Sequence, residues 1–262
     1  MDAAGSYLER MRANAPLVQN ITNQVAMNMM ANVQIAAGAS PAMAQALEEV
    51  VEFTAHADAL TVNIGTADSV QAESMRQAAQ AMNHHARPWV FDPVGVGATR
   101  FRNDLCRDLM ALCPTVLRGN ASEILTLAGE RQGARGVDAV DSVAVAEGAA
   151  RQLARQTNRI VVASGAVDYV TDGTRAFRIA NGDPMMTKVT VMGCSLNGVI
   201  AAFLVRQPEL EATAAALAYY GLAGERAARV SAGPGSFQPA FLDALFTLSP
   251  DEVTRGARIE AA

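Results

Sequence analysis

The sequence predicts an α/β fold, with a mostly parallel central sheet covered by helices on both faces. Three observations carry that expectation. Short apolar runs alternate with longer helical stretches almost from end to end. Each run stops at a turn signal, as strands buried on both faces do. Half of the 262 residues are apolar and 18% are charged, ample material for one layered core.

The strands are expected at Ala59-Leu-Thr-Val-Asn, Pro88-Trp-Val-Phe-Asp, Thr115-Val-Leu-Arg and Arg159-Ile-Val-Val-Ala-Ser. Between them the pattern predicts helices over Ala67 to His85, Arg102 to Leu112 and Val143 to Gln156, a spacing that implies parallel pairing. Asp172-Gly173, a strong turn dipeptide, joins Val167-Asp-Tyr-Val-Thr to Thr174-Arg-Ala-Phe-Arg-Ile as a hairpin. From Gly193 onward the chain reads as helix, broken near Pro208 and at Gly233-Pro-Gly-Ser, and Arg255 to Ala262 are expected to fray. No repeat or linker divides the chain, so residues 1–262 are expected to form one domain.

Composition excludes several classes of function. A formal net charge of -5 with no basic run argues against nucleic-acid binding, which needs clustered Lys and Arg. Cys106, Cys113 and Cys194 have no zinc-like spacing and fit a reducing compartment. The N-terminus lacks a secretory pattern and the best apolar run, Val199 to Val205, is too short to span a bilayer, so a soluble, cytoplasmic protein is expected.

Ligands of such sheets bind at the carboxyl ends of the strands, which directs attention to the residues after each apolar run. Asp92, in Asp92-Pro-Val-Gly-Val-Gly-Ala, could hold Mg²⁺ or simply bond its turn. Asn120 and Glu123 have capping-box spacing, while Glu123 is also a second acid for a metal shell near Asp92. Arg118 is suited to bidentate phosphate recognition. Ser164-Gly165 could meet a nucleotide phosphate or serve only as a turn. Gln19-Asn20-Ile-Thr-Asn23 and Gly38-Ala-Ser-Pro-Ala-Met43 offer polar groups beside small or apolar ones, as a heteroaromatic pocket requires. The methionines at 27, 29 and 30 read as packing. His56, His84 and His85 form no ligand or triad pattern.

The segment Thr187-Lys-Val-Thr-Val-Met-Gly-Cys-Ser-Leu-Asn-Gly198 reads as a loop opening a helix. Unsatisfied N–H groups there would stabilise a transferring phosphoryl group, and the same field would lower the pKa of Cys194, making it a base or nucleophile. Cys106 and Cys113 read as small buried apolar residues.

Taken in order, Pro16-Leu-Val-Gln-Asn-Ile-Thr-Asn, Gly38-Ala-Ser-Pro-Ala-Met, Asn63-Ile-Gly-Thr, Asp92-Pro-Val-Gly-Val-Gly-Ala, Arg118-Gly-Asn-Ala-Ser-Glu, Asp168-Tyr-Val-Thr-Asp-Gly, Gly182-Asp-Pro-Met-Met-Thr-Lys, Gly193-Cys and Gly233-Pro-Gly-Ser-Phe resemble the hydroxyethylthiazole kinase family. The resemblance implies a ribokinase-like fold and a homotrimer with active sites between subunits. It also implies transfer of the ATP γ-phosphate to 4-methyl-5-(2-hydroxyethyl)thiazole, a salvage step toward thiamine diphosphate. Carried onto this chain, Met43 and Asn23 would meet the thiazole, Arg118 and Ser164 would contact ATP, and Asp92 and Glu123 would organise Mg²⁺. Cys194, with Gly193, would sit where related sugar kinases carry an aspartate base.

One departure stands out. The family's loop reads Thr-Gly-x-Gly-Cys, and here Val191 replaces the first glycine, which the family places against the substrate. If φ there is positive, a β-branched residue is strained. Two alternatives follow from this sequence: a thiazole-binding or regulatory protein with impaired catalysis, or a kinase for another heteroaromatic alcohol.

Overall fold

Along the central strands, adjacent side chains bury themselves on opposite sides of one sheet. Val90, Val116, Val162 and Val170 join one core, while their neighbours Phe91, Leu117, Val161 and Tyr169 join the other. A strand with two buried faces has no polar alternate positions, which explains its continuous apolar run.

The computed structural model describes residues 3–129 and 142–262. In chain order the elements are α1 (Ala4–Asn14), β1 (Leu17–Ile21), α2 (Met27–Ala37), β2 (Ser40–Ala42), α3 (Val50–Thr54), β3 (Ala59–Asn63), α4 (Ser69–His84), β4 (Trp89–Asp92), α5 (Arg100–Ala111), β5 (Val116–Asn120), α6 (Ala121–Leu127), α7 (Ser142–Thr157), β6 (Ile160–Ser164), β7 (Asp168–Thr171) and β8 (Ala176–Ile179). A 3-10 turn, Pro184–Lys188, leads into α8 (Met192–Leu204), α9 (Glu209–Val230), α10 (Pro234–Thr247), α11 (Pro250–Gly256) and β9 (Ile259–Ala261). The strands form one sheet in the order β2-β1-β3-β4-β5-β6-β7-β8-β9. Pairing is parallel from β2 through β6 and antiparallel from β6 to β9.

Helices α1, α2, α8, α9 and α10 supply the core on one face, and α4, α5, α6 and α7 the core on the other. Local chemistry sets several helix starts: Asp68 accepts from Gln71 N, Thr99 from Arg102 N, and Ser249 forms a capping box with Glu252. Met29 and Met30 are buried, as a packing role requires.

The structure departs from expectation at three places. Leu17–Ile21 is a strand second from one edge of the sheet, between β2 and β3, although its sequence contains Gln19 and Asn20. Both are fully buried and internally satisfied. Gln19 donates to Ala44 O and accepts from Thr54 Oγ1, while Asn20 exchanges hydrogen bonds with Gln34 and accepts from Thr61. They therefore hold the sheet together and are not pocket groups. The chain end does not fray, because β9 pairs with β8 and Arg258 binds Glu225. Cys113 is exposed in a left-handed residue after α5, whereas Cys106 is buried as expected.

Candidate active site

The carboxyl ends of the parallel strands bring most of the sequence-selected residues to one edge of the sheet. Asp92 ends β4 and Asn63 ends the adjacent β3, paired in register, so their side chains meet. Asn63 Nδ2 donates to Asp92 Oδ2 at 2.7 Å, and Asn197 Nδ2 from α8 donates to the same oxygen at 2.7 Å. Burial is the largest influence on Asp92. It pushes the carboxyl up to about 6, with Glu123's charge reinforcing the rise and Arg118 and the two amides opposing it.

Asn63 is held in one orientation. Gly65 N–H can only donate, and it donates to Asn63 Oδ1 at 2.9 Å, so Nδ2 must face the other way. There it meets both Asp92 and Cys194 Sγ, the latter at 3.3 Å. Asn23 donates to Asn63 Oδ1 at 3.0 Å and to Cys194 Sγ at 3.4 Å, while its own Oδ1 accepts from Ala26 N. The thiol is thus the target of two amide donors. Its pKa is nevertheless raised: burial is the main cause and Asp92 the next, against the opposing pull of the amides and Arg118. The expected lowering is not found: burial is the largest influence on the thiol and raises it.

Arg118, in β5, donates from Nε to Ser164 Oγ at 2.7 Å and from Nη1 to Gly193 O at 3.0 Å. A guanidinium, a strand-end hydroxyl and the first turn of α8 therefore converge. They line a cavity of about 630 Å³ together with Asp168, Val191 and Tyr220. Asp168 accepts from Gly165 N at 3.0 Å, and burial pushes its carboxyl up to about 6, against that bond and Arg118. Part of one wall is Gly221 of α9, where a Cβ would meet Asn181 O at 2.5 Å.

Glu123 realises its capping box: Asn120 Oδ1 accepts from Glu123 N and Glu123 Oε2 from Asn120 N. Glu123 Oε1 also accepts from Gly95 N in the turn after Asp92, so the acid couples the two strand ends. Among the described residues no group of three His, Cys, Asp or Glu side chains is placed to hold a metal. Two carboxylates with water and phosphate oxygens are nonetheless a donor set Mg²⁺ accepts. Asn197 Oδ1, buried without a hydrogen-bond partner, adds a neutral oxygen beside Asp92.

Val191 precedes α8 with φ 74° and ψ -7°, the left-handed conformation. It is the only β-branched residue with positive φ among the described residues. Such a conformation costs about 1–3 kcal/mol for a non-glycine residue. The side chain lines the same cavity as Arg118 and Ser164; Met43, Asn23 and Cys194 are not among its lining residues. Met43 lies half-buried one residue beyond β2, whose Ala42 pairs with Gln19.

Sequence reasoning assigned no role to Asn63, Asn197, Asp168 or Tyr220. The strand-end rule reaches Asn63. Asn197 lies three residues after Cys194 on one helix face, a spacing that places both at the same site. Tyr220 carries no local signal.

A parallel sheet with phosphate-suited groups at its strand ends and a helix start facing them has the ribokinase-like fold and suits phosphoryl transfer to a small molecule. Similarity to known proteins narrows this. The Hydroxyethylthiazole kinase family model matches residues 8–251, and the chain belongs to that family. It is 58% identical over 262 residues to a hydroxyethylthiazole kinase of Cereibacter sphaeroides, covering 100% of both chains. To one from Rhizobium leguminosarum bv. trifolii it is 52% identical over 260 residues, 98% of this chain and 97% of the relative. The solved hydroxyethylthiazole kinase protein of Pyrococcus horikoshii OT3 superposes with a TM-score of 0.93 at 38% identity, covering 100% of each chain.

Proposed function

We propose that this chain is an Mg²⁺-dependent cytoplasmic kinase that transfers the γ-phosphoryl group of ATP to the hydroxyl of 4-methyl-5-(2-hydroxyethyl)thiazole, in salvage toward thiamine diphosphate. The observation that carries it is the convergence of Arg118, Ser164 and Gly193 on one cavity, with Cys194 and Asp92 at the same helix start. Arg118 and Ser164 take the nucleotide phosphates, and Met43 and Asn23 the thiazole. Asp92 and Glu123 hold Mg²⁺, which when bound neutralises phosphate charge. The N–H groups opening α8 face the transferring group.

The substrate hydroxyl attacks in line: its oxygen bonds to phosphorus as the bond to the ADP oxygen breaks. Its proton passes to Cys194, whose thiolate the Asn23 and Asn63 donors stabilise against the burial and the Asp92 charge that raise its pKa. Val25 and Val70 are exposed, and Gln71 of α4 binds Thr22 O and Gln45 Oε1, which draws these segments together beside Asn23. An apolar rim there suits a homotrimer with sites between subunits.

Purified protein with ATP, Mg²⁺ and the thiazole alcohol is expected to yield the phosphorylated alcohol by mass spectrometry. Bound thiazole and nucleotide without product would overturn the reading. The strain at Val191 favours one alternative, a thiazole-binding protein with impaired catalysis. Wild-type turnover would end that alternative. Competing alcohols in the same assay decide between thiazole and another heteroaromatic substrate.

A further inference from the structure

The start of α8 holds a backbone conformation that its own residue opposes. Val191 O accepts from Ser195 N at 2.8 Å, Met192 O from the Tyr220 hydroxyl at 2.8 Å and Gly193 O from Arg118 Nη1 at 3.0 Å. Three successive peptide planes are thus fixed from α8, α9 and β5. Because a peptide's C=O and N–H share one rigid plane, fixing these carbonyls also aims the N–H groups of Met192, Gly193 and Cys194.

The two hydroxyls and the carbonyls of the corner form one cluster. Ser195 Oγ lies 2.7 Å from Tyr220 Oη and 3.0 Å from Val191 O. Either hydroxyl can donate to the other, and in both arrangements the remaining hydrogen goes to a carbonyl of the corner, Met192 O from Tyr220 or Val191 O from Ser195. Tyr220 is 2% exposed, and its ring packs edge-on against Phe241 with centroids 4.9 Å apart, so the hydroxyl is held in place.

We propose that the Ser195–Tyr220 hydroxyl pair is a positioning device that locks Val191 left-handed, and that the corner works with valine only while this lock is present. A strained residue persists where its surroundings over-determine it. Without the lock, valine relaxes to negative φ and turns the N–H groups away; glycine has no such preference and stays. The rate arm of the test rests on the kinase reading, and the thermal arm does not.

The test uses four full-length proteins: wild type, Tyr220→Phe, Val191→Gly and the double variant. In the valine background Tyr220→Phe should lower kcat about tenfold, and in the glycine background less than about threefold. Within each background the loss on Tyr220→Phe should fall on kcat more than on KM for ATP, since the lock acts on geometry at the transferring group. The thermal midpoint should respond in the opposite sense, falling less with valine than with glycine, because relaxation of Val191 returns part of the loss. Ser195→Ala in both backgrounds repeats the cycle if Tyr220→Phe does not fold. Equal losses of kcat and equal midpoint shifts in the two backgrounds would overturn the lock. An inactive wild type would count against the kinase reading instead, and the thermal comparison alone would then decide.

Discussion

The Asp92 cluster and the Val191 corner share helix α8 but are held in opposite ways. Around Asp92, side-chain amides from β3, α8 and the loop after β1 bond the carboxylate, the thiol and one another at ordinary distances. At Val191 the backbone itself is strained, and the bonds to its neighbours come from other elements. The first region expends its energy on burying charge, the second on a dihedral angle. The contrast teaches that a site can be preorganised through desolvation or through conformation, and that the two respond to different substitutions.

The largest effect should follow from removing the buried charge. Asp92→Asn is expected to lower kcat on the order of 10²–10³-fold, the scale of losing a group that acts on developing charge. Its stability should change in the other direction. The Asp92 carboxyl, ordinarily near 3.8, is raised to about 6 in the fold. The folded state therefore binds the proton more tightly. This contribution to stability is present below pH 3.8 and is lost as pH rises through about 6. Without metal, Asp92→Asn should thus melt higher than wild type at pH 8, by about 3 kcal/mol at most, and equally near pH 3.5. Thermal melts at the two pH values check this, and a variant less stable at pH 8 would contradict the view of Asp92 as a costly buried charge.

Next comes Cys194→Ala, expected to lower kcat about a hundredfold with KM for ATP little changed, as for loss of a proton acceptor. An unchanged kcat would remove the thiol from the chemistry and leave it as part of the amide cluster. Asn63→Leu takes one donor from both Asp92 and Cys194. It should cost about tenfold or more in kcat, by analogy with groups that orient metal ligands, and about 1–3 kcal/mol in stability. Chemical denaturation and steady-state rates give the two numbers.

The smallest effect is expected at the strained residue. Val191→Gly releases about 1–3 kcal/mol of backbone strain. It also loses a half-buried side chain and adds freedom to the unfolded chain, about 0.5–1 kcal/mol for the latter. The net stability change should be under about 1 kcal/mol, while the wider cavity accepts a bulkier ligand. A stabilisation of several kcal/mol would mean that the strain had been underestimated and that the corner is the costlier region.

The same contrast explains what could be read from sequence. The central strands β3 to β6 were legible because burial on both faces writes a continuous apolar run. β1 was hidden because Gln19 and Asn20 are satisfied by Thr54, Gln34 and Thr61, partners distant in the chain. β9 was hidden because its pairing depends on contacts far back in sequence, such as Arg258 with Glu225 and Asn181. At the site, Asp92, Arg118, Ser164 and Glu123 were found by their place after apolar runs, and Val191 by a missing glycine. The direction of the Cys194 shift was misread, since desolvation is a property of the assembled fold and leaves no mark on the local pattern.

The outermost strands bear on how this protein behaves at high concentration. Both edges of the sheet end in strands of three residues, Ser40–Ala42 on one side and Ile259–Ala261 on the other. Such short edges offer few free backbone groups to an incoming strand, which discourages ribbon-like aggregation. Removing β9 would uncover β8, a longer template.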